Sequence, residues 1–284
     1  MTDKIEKIGF IGAGNMAEAI IGAILSADVS PPEALYISDI NRERTQNLSN
    51  RYNINQAPSN KAIVSSCDTI FFSVKPQTIP AVLKELAASE AFHPFNQKKC
   101  LVSIAAGVKM AAFEKVIYEG LSDSERNLFP IIRVMPNTPA LVLSGTSAVC
   151  ANTYASENDL AGVKKILVAM GRVFESQEAD MNAFTAVAGS GPAYGFYLIE
   201  AMAEAGVELG LSRNDALDMT LSTLKGALKL LETQQTEPET LRKNVTSPGG
   251  TTEAALKVLE KNRVKSIFMQ AVLAAAQRAG ELSE

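Results

Sequence analysis

The 284-residue sequence predicts a two-part protein: an α/β domain with a doubly wound, mostly parallel sheet, followed by an all-α domain. Short apolar runs alternate with helical patterns in the first part, which is the arrangement of βαβ units. A glycine-rich turn separates the first apolar run from the first helical pattern. Beyond residue 175 only long helical patterns remain. We therefore expect one domain over residues 1–170 and a second over residues 171–284.

Each predicted strand is a short apolar run. The runs are 7–11, 34–38, 69–74, 100–104, 131–135, 146–150 and 172–175. A polar helix is predicted over 42–52, and long helices over 192–209, 213–232 and 252–282, the last interrupted near Asn262. Ser212 before Asp215 and Thr236 before Glu239 are helix-start signals, the second as a capping box.

The composition excludes several classes of protein. Lys and Arg number 27 against 31 Asp and Glu, so the net charge is −4 and the chain lacks the basic excess that nucleic-acid binding requires. The long uncharged stretches 134–156 and 181–199 contain proline and glycine, so we expect no membrane span. Three widely spaced cysteines predict neither a disulfide framework nor a metal site. The charged N-terminus does not resemble a signal peptide, so we expect a cytoplasmic protein.

The first chemical signal is the G-x-G-x-x-A pattern of Gly12, Gly14 and Ala17. It lies between a predicted strand and a predicted helix, which is the context that dinucleotide binding requires. Gly12 permits a tight turn, Gly14 lets the backbone approach a pyrophosphate, and Ala17 lets the helix pack on the strand. Amides at the helix start then face the anion. The pattern predicts a dinucleotide site, with an ordinary strand–helix turn as the alternative.

The residues after the second strand give conflicting signals about the dinucleotide. Asp39 stands where an acidic residue would bind a ribose hydroxyl of NAD. Asn41, Arg42 and Arg44 follow, and arginine suits the 2′-phosphate of NADP. Asp39 could instead cap the next helix, and the arginines could form a solvated helix start. The residues leave the choice between NADPH and NADH open.

Three later segments end strands at the carboxyl edge of the sheet, where ligands bind in such folds. Lys75 and Pro76 place a cation and a rigid turn just beyond one strand. Residues 105–107 have little side chain, so a flat ring could lie against them, and residues 135–139 form the third segment. Taken singly, Lys75 resembles a surface lysine and residues 105–107 a plain tight turn.

The helical part holds two glycine-rich loops that each open a helix. The first is 188–194, with Pro192 near the helix start. In the second, 245–253, Gly249 and Gly250 leave amides at the positive end of a helix, which suits a small carboxylate. Thr251 and Thr252 add hydroxyl donors. The alternative is that both loops are helix caps and nothing more.

No strong general acid or base accompanies these loops. His93, the single histidine, lies in a predicted loop, and Tyr194 lies in an apolar helical pattern that favours a core position. The chemistry must then tolerate a weak acid. Hydride transfer to a protonated imine meets this condition because the electrophile already carries a positive charge, whereas a ketone needs a residue that protonates the alkoxide.

Five motifs, in order along the chain, resemble those of the pyrroline-5-carboxylate reductase family. They are residues 9–16, 74–77, 133–139, 189–194 and 246–252, and together they cover nearly the whole chain. The resemblance implies a Rossmann-type NAD(P)-binding domain followed by an all-helical domain for substrate binding and dimerisation. It implies hydride transfer from NADPH, or alternatively NADH, to C5 of 1-pyrroline-5-carboxylate, giving L-proline. It also implies a homodimer, with a ring of five dimers as the larger assembly.

The resemblance implies roles for individual residues as well. The pyrophosphate would lie at Ile11, Gly12, Ala13, Gly14, Asn15 and Met16, and the adenosine part would lie near Asp39, Asn41, Arg42 and Asn60. The nicotinamide would lie beside Ser73, Val74, Lys75, Pro76, Ala105, Ala106 and Gly107. Thr252 and Glu178 are the implied catalytic residues, with Thr252 at the ring nitrogen. The backbone of Gly249, Gly250 and Thr251 would bind the substrate carboxylate.

Two other readings stay open. Another imine reductase or a β-hydroxyacid dehydrogenase would share the two-domain plan, although the helical part shows no evident base for the latter. A non-catalytic module that senses NAD(P) would use the glycine loop but would have no need of Gly249–Thr252.

Overall fold

The structure is a computed structural model that describes residues 6–92 and 97–282. By compactness the chain divides into unit 1, residues 1–190 with 275–284, and unit 2, residues 191–274. The expected division after residue 170 concerns function, with cofactor binding before it and substrate binding after it. The compact units do not test this division, and it stays a prediction. His93 lies outside the described residues.

Eight strands form one sheet in unit 1. They are β1 (Ile8–Ile11), β2 (Leu35–Ser38), β3 (Asn55–Gln56), β4 (Thr69–Phe72), β5 (Cys100–Ser103), β6 (Ile131–Met135), β7 (Gly145–Ala151) and β8 (Gly171–Glu175). Their order across the sheet is β3-β2-β1-β4-β5-β6-β7-β8. Every neighbouring pair is parallel except β6 with β7. The predicted doubly wound, mostly parallel sheet is therefore confirmed, and its order reverses between β1 and β4, where such folds bind ligands.

Helices cover both faces of this sheet. Those wholly within unit 1 are α1 (Asn15–Ser26), α2 (Arg42–Tyr52), α3 (Asn60–Ser66), α4 (Ile79–Ala88), α5 (Met110–Ile117), α6 (Asp123–Arg126), α7 (Glu157–Val168) and α8 (Met181–Phe184). One core contains apolar residues of α3, α4 and α5, and the other contains residues of α1, α2 and α7. Each buried Ile, Leu or Phe contributes about 2 kcal/mol to folding, so the two cores hold the strand ends rigidly in place.

Gly9 in the middle of β1 lets α3 lie close to the sheet. A Cβ atom there would lie 2.5 Å from Ile63 Cγ2 and 2.8 Å from Cys67 Sγ. A larger residue would push α3 away from β1, so this glycine sets the spacing of one layer.

Unit 2 is helical. Its helices are α9 (Gly191–Glu208), α10 (Arg213–Gln234), α11 (Pro238–Asn244) and α12 (Thr251–Lys261), and α13 (Val264–Glu281) begins in it. Of residues 191–274, all of which the structure describes, only Ala216 and Thr220 are buried. A helical unit of this size needs more buried apolar surface than one chain supplies here. No described helix is long and apolar enough to cross a membrane.

The sequence prediction missed one strand and was wrong about one helix cap. The two-residue strand β3 was not predicted, because Asn55 and Gln56 form no apolar run. Thr236 does not cap a helix: α11 begins at Pro238 with Glu237 as its N-cap, and no side chain caps it. Proline needs no amide partner at a helix start, which explains the shift. The Ser212 cap is confirmed, since its side chain accepts a hydrogen bond from the Asp215 amide.

Candidate active site

The glycine loop closes tightly over the carboxyl ends of β1 and β4. The Gly12 amide donates to Ser38 O at 2.8 Å, and Gly12 has φ +105°. A Cβ atom on Gly12 would lie 2.7 Å from the Ser73 carbonyl carbon. Only glycine fits both the left-handed backbone and the contact, so the predicted tight turn at Gly12 is confirmed.

Gly14 has a different role. It is the N-cap of α1 with φ −70°, and a Cβ atom there would meet only Ser73 O, at 3.9 Å. The space beside Gly14 is therefore open. The amides of Asn15 and Met16 belong to the first turn of α1, where backbone N–H groups lack acceptors inside the helix. This is the arrangement that binds a phosphate group.

A cavity of about 430 Å³ opens beside this loop. Predicted cofactor residues that line it are Gly12, Gly14, Asp39, Asn60, Ser73, Val74 and Lys75. Its other lining residues are Ser38, Ile40, Thr78, Ala81, Val82 and Glu85. On the side of the cavity formed by α4, the apolar residues Ala81 and Val82 lie beside the carboxylate of Glu85, and Ile40 is 99% exposed. The fold thus brings together one end of the predicted dinucleotide site.

A buried hydroxyl in the cavity suits a polar ligand, because no described residue bonds to it. Ser73 Oγ is buried, yet no described residue gives it a hydrogen-bond partner. A buried hydroxyl without a partner is unfavourable, and an atom of a bound ligand would satisfy it. With the helix start at Asn15 and the exposed cation of Lys75, the residues present fit a dinucleotide phosphate.

Asp39 bonds to the backbone in this structure. Its Oδ2 accepts from the Ala13 amide at 2.7 Å, and its Oδ1 accepts from the Asn41 amide at 2.8 Å. Asn41, not Asp39, caps α2 by accepting from the Arg44 amide at 3.0 Å. The alternative of Asp39 as the helix cap is therefore wrong.

Arg42 and Arg44, the two arginines in the first turn of α2, have different hydrogen-bond partners. Arg42 is exposed, and its Nη2 donates to Pro58 O at 3.1 Å, two residues from Asn60. Arg44 donates from Nε to Ala13 O at 2.9 Å and from Nη2 to Glu18 Oε2 at 2.5 Å. Arg42 thus stays available at the surface, whereas Arg44 is bound to the glycine loop.

Residues Ala105, Ala106 and Gly107 form a tight turn after β5. Gly107 has φ +76°, and a Cβ atom there would lie 3.2 Å from Leu282 O and Cβ. Leu282, which directly follows α13 and belongs to unit 1, therefore packs on this turn. These three residues do not line the cavity of 430 Å³, and their contact with the nicotinamide stays a prediction.

Asn137, a residue of the motif 133–139 with no role predicted from the sequence, joins this motif to Ala188, which directly precedes the motif 189–194. It is buried, its Nδ2 donates to Ala188 O at 3.0 Å, and its Oδ1 accepts from the Thr146 amide at 2.8 Å. Residues Thr185–Gly189 form a π-helical turn before α9. Such turns often mark functional sites, and no residue pattern in the chain predicted it.

Glu178 takes part in a partly buried ion pair with Arg133. Its Oε1 accepts from Arg133 Nη1 at 3.0 Å and from the Met110 amide at 2.7 Å. The Arg133 side chain is 4% exposed, and that of Glu178 is 30% exposed. These contacts tie β6 to the start of α5. The proximity of Glu178 to the substrate stays a prediction.

In unit 2, the predicted carboxylate-binding loop precedes α12. Gly249 has φ +72°, and its amide donates to Glu253 Oε2 at 3.0 Å. The Gly250 amide donates to Ser247 O at 3.0 Å, and Gly250 is the N-cap of α12. Two of the three expected donors thus bond within the chain. The first-turn amides of Thr251 and Thr252 and their hydroxyls are the donors that could meet a substrate there.

The remaining titratable groups give no further chemistry. No group of three or more His, Cys, Asp or Glu in the described residues could hold a metal ion. Burial raises the pKa of the Cys67 and Cys150 thiols to about 11. All three cysteines are free and buried.

Comparison with known proteins matches both ends of the chain. Residues 178–282 match a family described as pyrroline-5-carboxylate reductase dimerisation, and residues 7–107 match one described as NADP oxidoreductase, coenzyme F420-dependent. A pyrroline-5-carboxylate reductase of Pseudomonas aeruginosa is 39% identical over 279 residues, which is 98% of this chain and 97% of that protein.

Solved structures agree. A pyrroline-5-carboxylate reductase from Coxiella burnetii has a TM-score of 0.85 and 32% identity, over 99% of this chain and 100% of that chain. A pyrroline carboxylate reductase from Plasmodium falciparum, solved with NADP bound, has a TM-score of 0.84 and 31% identity, over 100% of each chain. Fold and cavity define a dinucleotide-dependent oxidoreductase with a Rossmann-type domain. The chain belongs to the pyrroline-5-carboxylate reductase family.

Proposed function

We propose that this protein reduces 1-pyrroline-5-carboxylate to L-proline with NADPH as the hydride donor. The observation that carries the proposal is the match to named pyrroline-5-carboxylate reductases along 98% of the chain, from the glycine loop to the loop before α12. In the reaction, a hydride adds to C5, the C=N bond becomes a single bond, and the protonated ring nitrogen becomes an amine. When bound, NADPH supplies the two electrons.

Unit 1 would bind the dinucleotide. Ile11, Gly12, Ala13, Gly14, Asn15 and Met16 would position the pyrophosphate, while Asp39, Asn41, Arg42 and Asn60 would surround the adenosine part. Ser73 Oγ, which lacks a partner among the described residues, would bond to the cofactor. Val74, Lys75, Pro76, Ala105, Ala106 and Gly107 would follow toward the nicotinamide. NADPH is the proposed donor, with NADH as a weaker alternative, because exposed Arg42 suits a 2′-phosphate.

The loop before α12 would bind the substrate. The helix start attracts a carboxylate through its free amides, and the Thr252 hydroxyl would orient the ring nitrogen. No residue has to deliver a proton in the hydride step, because the imine is already protonated. Proximity and fixed dipoles would therefore supply most of the acceleration.

Glu178 would act by positioning. Its bonds to Arg133 and the Met110 amide hold the segment between β5 and α5 against β6, and that segment contains the proposed nicotinamide residues 105–107. We propose a functional division at residue 170, with cofactor binding before it and substrate binding and dimerisation after it.

We also propose a homodimer through the helical part, with five dimers in a ring as the larger assembly. The family match describes dimerisation over residues 178–282. Only Ala216 and Thr220 are buried in residues 191–274 of the single chain, so a second copy would cover exposed apolar side chains. The cytoplasm is the proposed compartment, since it keeps three free thiols reduced.

The deciding experiment is an assay of NADPH oxidation with added 1-pyrroline-5-carboxylate. We expect turnover to L-proline, and no turnover with 3-hydroxy acids and NADP. Turnover of 3-hydroxy acids would identify a β-hydroxyacid dehydrogenase. Dinucleotide binding without turnover of either substrate would identify a sensing module, and both results would contradict the proposal.

A further inference from the structure

Two side chains hold the middle residue of the glycine loop from opposite sides. Ala13 is 1% exposed. Its amide donates to Asp39 Oδ2 at 2.7 Å, and its carbonyl accepts from Arg44 Nε at 2.9 Å. Both polar groups of this buried residue are therefore satisfied by side chains of the β2–α2 segment, not by a neighbouring strand or by helix α1.

These bonds fix the orientation of two successive peptide groups. In a trans peptide the C=O and the following N–H point in opposite directions. Since the Ala13 carbonyl points at Arg44, the Gly14 amide points away from Arg44. Gly14 is exposed and lines the cavity together with Gly12 and Ser73. Arg44 thus sets the direction of one amide at the place where the pyrophosphate is proposed to bind.

Arg44 is itself held in place. Its Nη2 donates to Glu18 Oε2 at 2.5 Å, and Glu18 also accepts from Arg51 Nη1 at 2.7 Å. The side chains of Arg44 and Glu18 are 32% and 15% exposed. A guanidinium that donates from two positions at once has little freedom to swing out toward a ribose phosphate.

We infer that Asp39 and Arg44 are positioning residues for the phosphate-binding loop, and that neither selects between NADPH and NADH. This inference rests on the proposed dinucleotide site. It removes the conflict between the acidic and basic signals after β2, because both side chains act on Ala13. Arg42, whose exposed side chain donates only to Pro58 O among the described residues, is left as the residue that recognises a 2′-phosphate.

The test compares two arginines that share Glu18. Arg44→Met removes the bond to Ala13, while the matched control Arg51→Met removes the other arginine from Glu18 and leaves Ala13 untouched. Binding is measured by calorimetry for ADP-ribose, which has the pyrophosphate and lacks the 2′-phosphate, and for adenosine 2′-monophosphate, which has the reverse. NADPH and NADH are titrated in parallel.

For Arg44→Met we expect about tenfold weaker binding of ADP-ribose, NADPH and NADH alike, the effect of one lost buried hydrogen bond. Its affinity for adenosine 2′-monophosphate should be unchanged, and Arg51→Met should bind all four ligands as the parent does. Arg42→Met should bind NADPH and adenosine 2′-monophosphate more weakly than the parent, and its affinities for ADP-ribose and NADH should be unchanged. Asp39→Ala should weaken NADPH and NADH by equal factors.

A selective loss of NADPH in Arg44→Met, or a changed NADPH-to-NADH ratio in Asp39→Ala, would overturn the inference. Unchanged ADP-ribose affinity in Arg44→Met would overturn it as well. If that variant does not fold, Arg44→Lys carries the same test, because lysine keeps a charge beside Glu18 and has no donor at the Nε position. Failure of the parent protein to bind ADP-ribose would instead contradict the proposed dinucleotide site.

Discussion

Arg133, buried in β6, donates to Glu178 across 45 residues of sequence, with 3.0 Å between Nη1 and Oε1. The pair joins the strand to the 3₁₀ turn Glu178–Asp180. Because the Met110 amide bonds to the same carboxylate oxygen, one atom holds three segments together. Glu178, which the resemblance implies to be a catalytic residue, thus links three segments of unit 1.

Glu178→Gln should therefore lower stability as well as activity. The amide oxygen can still accept from Met110, but Arg133 loses its counter-charge while 4% exposed. We expect a loss of about 2 to 3 kcal/mol in the free energy of unfolding, measured by urea denaturation. A variant as stable as the parent, with activity alone reduced, would show that Glu178 acts on the substrate directly.

Thr252→Ala should lower kcat/KM for the imine. Loss of a hydrogen bond to a charged ring nitrogen is worth about 1.5 to 3 kcal/mol, or roughly tenfold to a hundredfold. The Kd for NADPH should be unchanged, and Thr252→Ser should retain most of the activity because it keeps the hydroxyl. Steady-state kinetics and cofactor titration check both. Unchanged kinetics in Thr252→Ala would contradict its role.

Gly14→Val should lose affinity for NADPH, whereas Gly12→Ala should lose stability. A valine at position 14 meets open space at an ordinary φ of −70°, so the thermal midpoint should change little while NADPH affinity falls more than about tenfold. An alanine at position 12 contacts the Ser73 carbonyl carbon at 2.7 Å with φ +105°, so the protein should unfold more easily. Calorimetry and binding titrations separate the effects. Retained affinity in Gly14→Val would contradict the loop assignment.

Glu253→Gln should lower the KM for the imine. In the present structure the Glu253 carboxylate bonds to the Gly249 amide and to Lys257 Nζ, both at 3.0 Å. A negative charge beside the proposed carboxylate site repels the substrate. We expect a KM several-fold lower at low ionic strength, with kcat unchanged. Glu239→Gln, which breaks the comparable pair with Lys243 on α11, is the control. A higher KM in Glu253→Gln would mean that Glu253 orders the loop.

Stability should decline on the acid side of about pH 5. Burial raises the pKa of Glu18, but Arg44, Tyr52 and Arg51 outweigh it and hold that pKa below its ordinary 4.5. Burial likewise raises the pKa of Asp159, and Lys98 and Ser156 outweigh it, so it lies below 3.8. A carboxyl group whose pKa is lower in the folded than in the unfolded protein stabilises the fold at any pH above its unfolded-state pKa. This stabilisation is lost as the pH falls through the folded-state pKa. In Asp159→Asn, the urea concentration at the unfolding midpoint should change less between pH 7 and pH 3 than it does in the parent. The same pH dependence in both proteins would contradict this prediction.

Most of the fold could be predicted because its elements carry local signals. Seven strands could be predicted from apolar runs in the sequence, and the prediction for β6 matches its observed first and last residues. The break in the last long helix falls at Asn262 and Arg263, where Arg263 adopts φ +53°. The strand β3 is different, because two polar residues pair with β2 only through the sheet.

The candidate residues of the site could be predicted from the sequence, but the hydrogen bonds between them could not. The glycine loop could be predicted because its pattern follows a strand directly, and the role of Ser73 was implied by the family resemblance. The Ala13–Arg44 and Arg133–Glu178 bonds join residues 31 and 45 positions apart, and only the folded chain brings them together. The π-helical turn Thr185–Gly189 lies against Met135, since a Cβ atom on Gly189 would be 2.9 Å from Met135 Cε.

The three cysteines are buried, and burial raises the pKa of each thiol. Native protein should therefore react slowly with maleimides. One new cysteine at an exposed position outside the proposed dimer interface, such as Val168→Cys at the end of α7, would then become the fastest-labelled thiol. Attaching a fluorophore there would let spectroscopists follow subunit exchange without first deleting any native sulfur.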